Sequence, residues 1–188
     1  MSEKSLKIAI LGAGIGGLAA SACLRKAGID TTIYEQAPAF ARIGAGIQMS
    51  PNAMRVLYGI GIGDQIRTTA FEPPHWRNRD HDTGHLTNDH PLGPAAFDRY
   101  GVPYLLMHRG DLHAALHGAV PDDTIRYDHK VAGVEQSDSS VTLTFETGET
   151  VTADALIASD GVHSIVRESL LGAEDARFTG RLAYRTAF

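Results

Sequence analysis

Apolar and polar positions alternate along this chain in a way that predicts its elements in order. Leu6-Lys7-Ile8-Ala9-Ile10-Leu11 is short and mostly apolar, which predicts a buried strand. Leu18 to Ala27 is rich in Ala and Leu and predicts a helix, and Thr31-Thr32-Ile33-Tyr34-Glu35 predicts a second strand ending in an acid. Arg42 to Met49 carries Gly44, Ala45 and Gly46 and reads as a loop of close backbone approach. Ser50-Pro51 then has the form of an N-cap followed by proline at the first helical position. Asn52 to Tyr58 would be that helix, with Gly59, Gly61 and Gly63 closing it.

Residues 71–103 change character, holding most of the prolines, several histidines and the only tryptophan. His75 to Arg79 and His85 to Asn88 predict two strands joined through Asp82-Thr83-Gly84. Tyr104 to His108 predicts a strand that ends this excursion, and Gly110 to Val120 a helix. Thr124 to Lys130 and Val141 to Glu146 alternate as strands do, with Thr147-Gly148-Glu149 as a turn. Ala153 to Ala158 is apolar enough for a buried parallel strand, and Ser164 to Leu171 is helical.

The first strand and helix enclose Gly12-Ala13-Gly14-Ile15-Gly16-Gly17. Strand, G-x-G-x-x-G, helix, strand, acid is the dinucleotide-binding βαβ fingerprint. Gly12 permits the tight turn, Gly14 lets a pyrophosphate approach the backbone, and Gly17 lets the helix pack on the strand. The phosphates would face N–H groups at the positive end of the helix dipole. Glu35 falls roughly 20 residues after the glycines, where a carboxylate accepts from ribose hydroxyls. An acid there repels a 2′-phosphate, so the dinucleotide is expected to be FAD or NAD rather than NADP.

A signal peptide or membrane helix over the uncharged stretch Ile8 to Leu24 is the competing reading. Four glycines in six residues make a poor helix. The stretch also falls short of the usual ~20-residue span. Glu3 sits among the leading lysines, and no small-residue cleavage site follows.

Composition narrows the class further. The chain has 188 residues, 43% hydrophobic, with a formal net charge of -5, which fits a globular domain plus part of another. The mild acidity gives no support for nucleic-acid or membrane-surface binding. Cys23 is the only cysteine, so no internal disulfide forms, and a cytoplasmic setting is expected. His113 and His117 share a helical face, but Ala114 stands where H-E-x-x-H requires glutamate, so no metal is expected. His81, His85 and His90 lack metal-ligand spacing.

Three later segments turn "dinucleotide" into "flavin": Arg42-Ile43-Gly44-Ala45-Gly46-Ile47-Gln48, His108-Arg109-Gly110-Asp111-Leu112, and Ala155 to Arg167 with Asp160-Gly161 at its centre. With the fingerprint, these resemble the single-component FAD-dependent aromatic hydroxylases, of the salicylate hydroxylase and 6-hydroxynicotinate 3-monooxygenase type. The third segment is similar to that family's G-A-D-G-x-x-S-x-V-R motif, with Ala158-Ser159 in place of Gly-Ala. The resemblance implies a Rossmann-like α/β FAD-binding domain, a parallel sheet with helices and a three-stranded β insertion, plus the beginning of a β-sheet substrate domain. It divides the chain into 1–70 (the βαβ start and glycine loop), 71–103 (the excursion), 104–180 (the FAD-binding domain continued) and 181–188 (the first substrate-domain strand).

The resemblance also implies roles. Gly12, Gly14, Gly16 and Gly17 would hold the FAD pyrophosphate, and Glu35 the ribose with Gln36 beside it. Arg42 would approach the phosphates, Arg109 would contact FAD from a strand-to-helix junction, and Val131 would meet the adenine. Asp160 and Gly161 would serve the D-G motif, with Arg167 a further candidate. Gln48 would lie near flavin and substrate and is the catalytic candidate. Apart from the resemblance, Arg42 and Gln48 have an alternative reading as solvated loop residues. Arg109 also reads as a partner of Asp111, and Arg167 of Glu168 or Asp160.

The implied reaction is NADH- or NADPH-driven hydroxylation of a small aromatic acid (salicylate, hydroxybenzoate or hydroxynicotinate class) by O₂ through a flavin hydroperoxide. In the hydroxynicotinate type a histidine stands at the position of Gln48. Glutamine is no base at neutral pH, which turns the expectation toward salicylate-like or hydroxybenzoate substrates. A homodimer is compatible with the resemblance. Family members are longer, so the chain is expected to be the N-terminal part of the enzyme and inactive alone. The alternatives are an NAD-dependent dehydrogenase and a non-catalytic flavin- or nucleotide-binding module.

Overall fold

A computed structural model describes residues 6–42 and 44–182. The chain begins β1 (Ile8–Leu11), α1 (Ile15–Lys26), β2 (Thr31–Tyr34), β3 (Gly46–Met49), α2 (Pro51–Ile60) and α3 (Gly63–Thr69). It continues β4 (His75–Arg79), β5 (Leu86–Pro91), α4 (Pro94–Tyr100), β6 (Leu105–His108) and α5 (Arg109–His117). After a 3-10 turn at Asp122–Thr124 come β7 (Ile125–Arg126), β8 (Val131–Gln136), β9 (Val141–Phe145), β10 (Thr150–Ala153), β11 (Ala155–Ala158) and α6 (Ile165–Leu171). Two compact units result. The first runs to Ala41 and resumes at Leu116; the second is Arg42–Ala115.

In the first unit a parallel sheet has the order β11-β1-β2-β7, with Ile8 beside both Ala155 and Thr31. Alternation along β1 divides its side chains between two layers. Ile10 turns toward α1, where Leu18 is fully buried. Ala9 and Leu11 turn to the other side and join Tyr34, Leu143, Phe145 and Val166 in one apolar cluster. That cluster lies under an antiparallel sheet of order β10-β9-β8. Both faces of the parallel strands are thus covered, as their continuous apolar runs require.

The second unit pairs β3 with β6, Gly46 opposite His108 and Met49 opposite Leu105. Its buried side chains include Met54, Leu57, Ile66, Leu105 and Met107. β4 and β5 form a separate exposed ribbon with an irregularity between Asn78 and Arg79.

Several expected bounds shift. Gly46–Met49 is a strand rather than loop, because β6 supplies its partner. Gly59 lies inside α2, Gly61 caps it in the left-handed conformation, and Gly63 opens α3, which the glycine spacing hid. Pro94–Tyr100 is helical within the excursion. The strand expected over 124–130 is broken at Asp128, whose φ of 58° turns the chain. Pairing stops at Arg126 and restarts at Val131. α5 ends at His117, short of Val120. The strand expected at Tyr184 to Phe188 lies outside the described residues.

Candidate functional site

The β1-to-α1 turn is built by contact with β11. Gly12 has φ +97°, and a Cβ there would lie 2.5 Å from the Ser159 carbonyl oxygen. Its N–H donates to the Tyr34 carbonyl at 2.8 Å, while the Ser159 N–H donates to the Leu11 carbonyl at 2.8 Å. A Cβ on Gly17 would fall 1.9 Å from the Gly12 carbonyl oxygen. Gly12 and Gly17 are therefore fixed by the protein's own packing. Gly14 differs: a Cβ would meet nothing within 4 Å, and its backbone is extended at φ -71°. It is the N-cap of α1, whose first turn holds no acidic residue. The first N–H groups of a helix have no intrahelical acceptor, so this end can receive an anion.

Glu35 stands at the other side of the turn, just past β2. Its Oε2 accepts from the Ala13 N–H at 2.7 Å and its Oε1 from the Ala37 N–H at 2.9 Å. The carboxylate thereby ties the glycine loop to the exit of β2.

These groups converge on a cleft of about 370 Å³ in the first unit. Gly12, Gly14, Glu35, Gln36, Val131, Asp160 and Gly161 all line it. Gly16 and Gly17 belong to the same turn, but their packing faces the Ser159 side chain and Gly12 respectively. Sequence reasoning missed several further lining residues, among them Tyr34, His129, Lys130 and His163. Proximity to Glu35, Val131 and Asp160 along the chain was the available signal. Burial pushes the Tyr34 hydroxyl pKa up, against the opposing influence of Arg126. Asp160 also serves α6: its Oδ2 accepts from the Val166 N–H at 3.4 Å, beside the Ser164 cap on Arg167 N–H at 3.0 Å.

Arg42, Gln48 and Arg109 belong to the second unit. Arg42 donates to the Asp111 carboxylate while remaining largely exposed. The glycines explain how closely this junction packs. A Cβ on Gly44 would lie 2.7 Å from the Arg109 Cβ, and one on Gly110 2.7 Å from the Arg42 Cγ. The Arg109 N–H donates to the Ala45 carbonyl at 2.7 Å. Gln48 lies on β3, opposite Leu106.

His117 shares a 2.8 Å hydrogen bond with the Tyr127 hydroxyl and lies 4.7 Å from the Phe40 ring. Among the described residues, no three metal-ligating side chains cluster. Among them, too, no helix is long and apolar enough to cross a membrane.

The donor set fits a dinucleotide. Gly14 leaves open space at a helix N-terminus, and a carboxylate is held at the end of β2. A family model described as FAD binding domain matches residues 5–180. The chain is 43% identical over 186 residues to a 6-hydroxynicotinate 3-monooxygenase of Pseudomonas fluorescens, covering 99% of this chain and 48% of that protein. It is 41% identical over 182 residues to the enzyme of the same name from Bordetella bronchiseptica, covering 97% and 48%. The chain thus spans about half the length of these curated relatives. Among solved structures, Klebsiella pneumoniae HpxO complexed with FAD and uric acid aligns at a TM-score of 0.79 and 30% identity, over 92% of this chain and 43% of that one. The chain belongs to the FAD binding domain family.

Proposed function

We propose that this chain is the FAD-binding portion of a monooxygenase that hydroxylates a small aromatic acid, with NADH or NADPH as reductant and O₂ as oxygen source. The observation that carries the reading is the convergence of the glycine turn, Glu35 and Asp160-Gly161 on one cleft. The similarity to monooxygenases of aromatic acids supports the same reading.

In this reading Gly12, Gly14, Gly16 and Gly17 admit the pyrophosphate, with Gly14 at the point of closest approach. Glu35 accepts from the ribose hydroxyls, and its backbone-held carboxylate needs no reorientation to do so. Gln36 and Val131 flank the adenosine, and Asp160 with Gly161 bound the other wall. Bound FAD supplies the redox chemistry, the reductive activation of O₂ for transfer of one oxygen atom to the ring. The protein's part is to orient cofactor and substrate and to exclude water. Gln48 hydrogen-bonds rather than moving a proton, because a neutral amide is no base. That argues for a phenolic acid of the salicylate or hydroxybenzoate class over 6-hydroxynicotinate.

The test is oxidation of NADH and NADPH by the whole flavin-loaded enzyme of which this chain is proposed to be a portion, with and without salicylate, hydroxybenzoates and hydroxynicotinates. Ring-dependent stimulation, with isotopically labelled O₂ found in the product, is expected. FAD binding with no stimulated oxidation by any acid would contradict the monooxygenase and leave a binding module.

A further inference from the structure

His129 stands in the wall of the dinucleotide cleft, and its surroundings are unusual for a neutral imidazole. Nδ1 lies 2.5 Å from the Tyr127 carbonyl oxygen. A carbonyl only accepts, so Nδ1 carries a proton. Nε2 lies 3.5 Å from Glu149 Oε2. A carboxylate also only accepts, so that contact is attractive only when Nε2 is protonated as well. Both ring nitrogens thus face acceptors, an arrangement suited to the imidazolium.

The ring is held from its other sides too. It packs against Tyr34 at 5.5 Å between centroids and edge-on against Phe145 at 4.9 Å. Its backbone N–H donates to the Glu35 carbonyl at 2.9 Å. The segment it anchors therefore joins Glu35, on one side of the cleft, to Val131 on another.

The charges of the cleft make this matter. Glu35 and Asp160 line it as acids, yet an FAD pyrophosphate is anionic. Lys130 also lines it, but its ammonium lies 2.7 Å from Glu146. Arg126 acts on the Tyr34 hydroxyl from β7, and Glu149 from the turn before β10. His129 and His163 are the imidazoles among the lining residues. His129 is the one clamped between two acceptors.

We propose that His129 is a positioning residue for the flavin dinucleotide, acting as an imidazolium that Tyr127 and Glu149 clamp into the cleft wall. This rests on the FAD reading given above. Protonated, it fixes the 127–131 segment against Glu35 and offsets the cleft's acidic charge. On deprotonation the Glu149 contact is lost and the segment loosens, so FAD binds more weakly as pH rises.

The test is FAD titration into the protein freed of flavin, followed by flavin fluorescence from pH 5.5 to 8.5 at constant ionic strength. Affinity should fall about five- to tenfold across that range, a coupling of ordinary size for linked equilibria. His129→Gln should bind FAD with a flat pH profile, and Glu149→Gln should move the fall to lower pH. His163→Gln should keep the wild-type slope. If His129→Gln does not fold, the Glu149→Gln shift decides. A flat wild-type profile, or a slope that survives in His129→Gln, overturns the proposal while leaving FAD binding intact. No FAD binding at any pH would instead overturn the flavin reading beneath it.

Discussion

Three glycines of one turn have different surroundings, and substitution separates them. Gly12→Ala places a side chain at φ +97° and 2.5 Å from a carbonyl oxygen. Gly17→Ala places one 1.9 Å from another. Each should destabilise the fold by about 1–3 kcal/mol, seen as a lower denaturant midpoint. Gly14→Ala meets open space at an ordinary φ. Loss of a favoured N-cap and gain from a stiffer unfolded chain nearly cancel there, leaving stability within about 1 kcal/mol. FAD affinity should nonetheless drop, because the added methyl occupies the approach to the helix N-terminus. Equal losses of stability at all three positions would show that Gly14 is structural like its neighbours. The close packing at Gly12 and Gly17 was readable from the motif itself, since it follows from the lack of a Cβ. For Tyr34, His129 and Lys130 the motif gave no sign beyond nearness to Glu35 and Val131, and the place of His129 and Lys130 follows the turn at Asp128, a non-glycine residue with positive φ.

At the scale of elements, the β4–β5 ribbon carries its own pH dependence. Thr83 donates to the Asp80 carboxylate through N–H at 2.9 Å and Oγ1 at 2.8 Å, which holds its pKa below the usual carboxylate value. For Asp89, desolvation works upward, but hydrogen bonds from His75 and Arg77 outweigh it and the net shift is downward. A depressed folded-state pKa gives stabilisation that is present above the unfolded value, about 3.9, and lost as pH falls through the folded one. The ribbon should therefore loosen below about pH 4. Trp76, the only tryptophan, sits on β4 with its ring centroid 6.3 Å from that of Tyr104, so its fluorescence reports the change. Asp89→Asn should remove much of the acid step. Constant Trp76 emission down to global unfolding would contradict this. Elsewhere, Ser164→Ala removes the cap on Arg167 N–H and should cost about 1 kcal/mol by denaturant unfolding. Elements with a strong period and a stop signal, such as β1, α1 and β9, were legible in advance. β3 and α4 were not, because a glycine-rich strand and a short helix after Gly93-Pro94 depend on partners distant in sequence.

On the scale of the molecule, one cleft unites four stretches: the glycine turn, residues 34–36, residues 129–131 and residues 159–165. Sequence order alone could not bring them together; the parallel pairing of β1 with both β2 and β11 does so. The chain covers about half the length of the curated relatives it matches. The proposed cofactor cleft is lined by residues of the first unit. Flavin content of the purified protein, compared between wild type and Gly14→Ala, tests that claim most directly. The account predicts stoichiometric FAD released from the wild type, and little from a Gly14→Ala protein that melts at nearly the same temperature. A wild type that neither carries nor takes up FAD, or a Gly14→Ala protein that keeps its full complement, would contradict it.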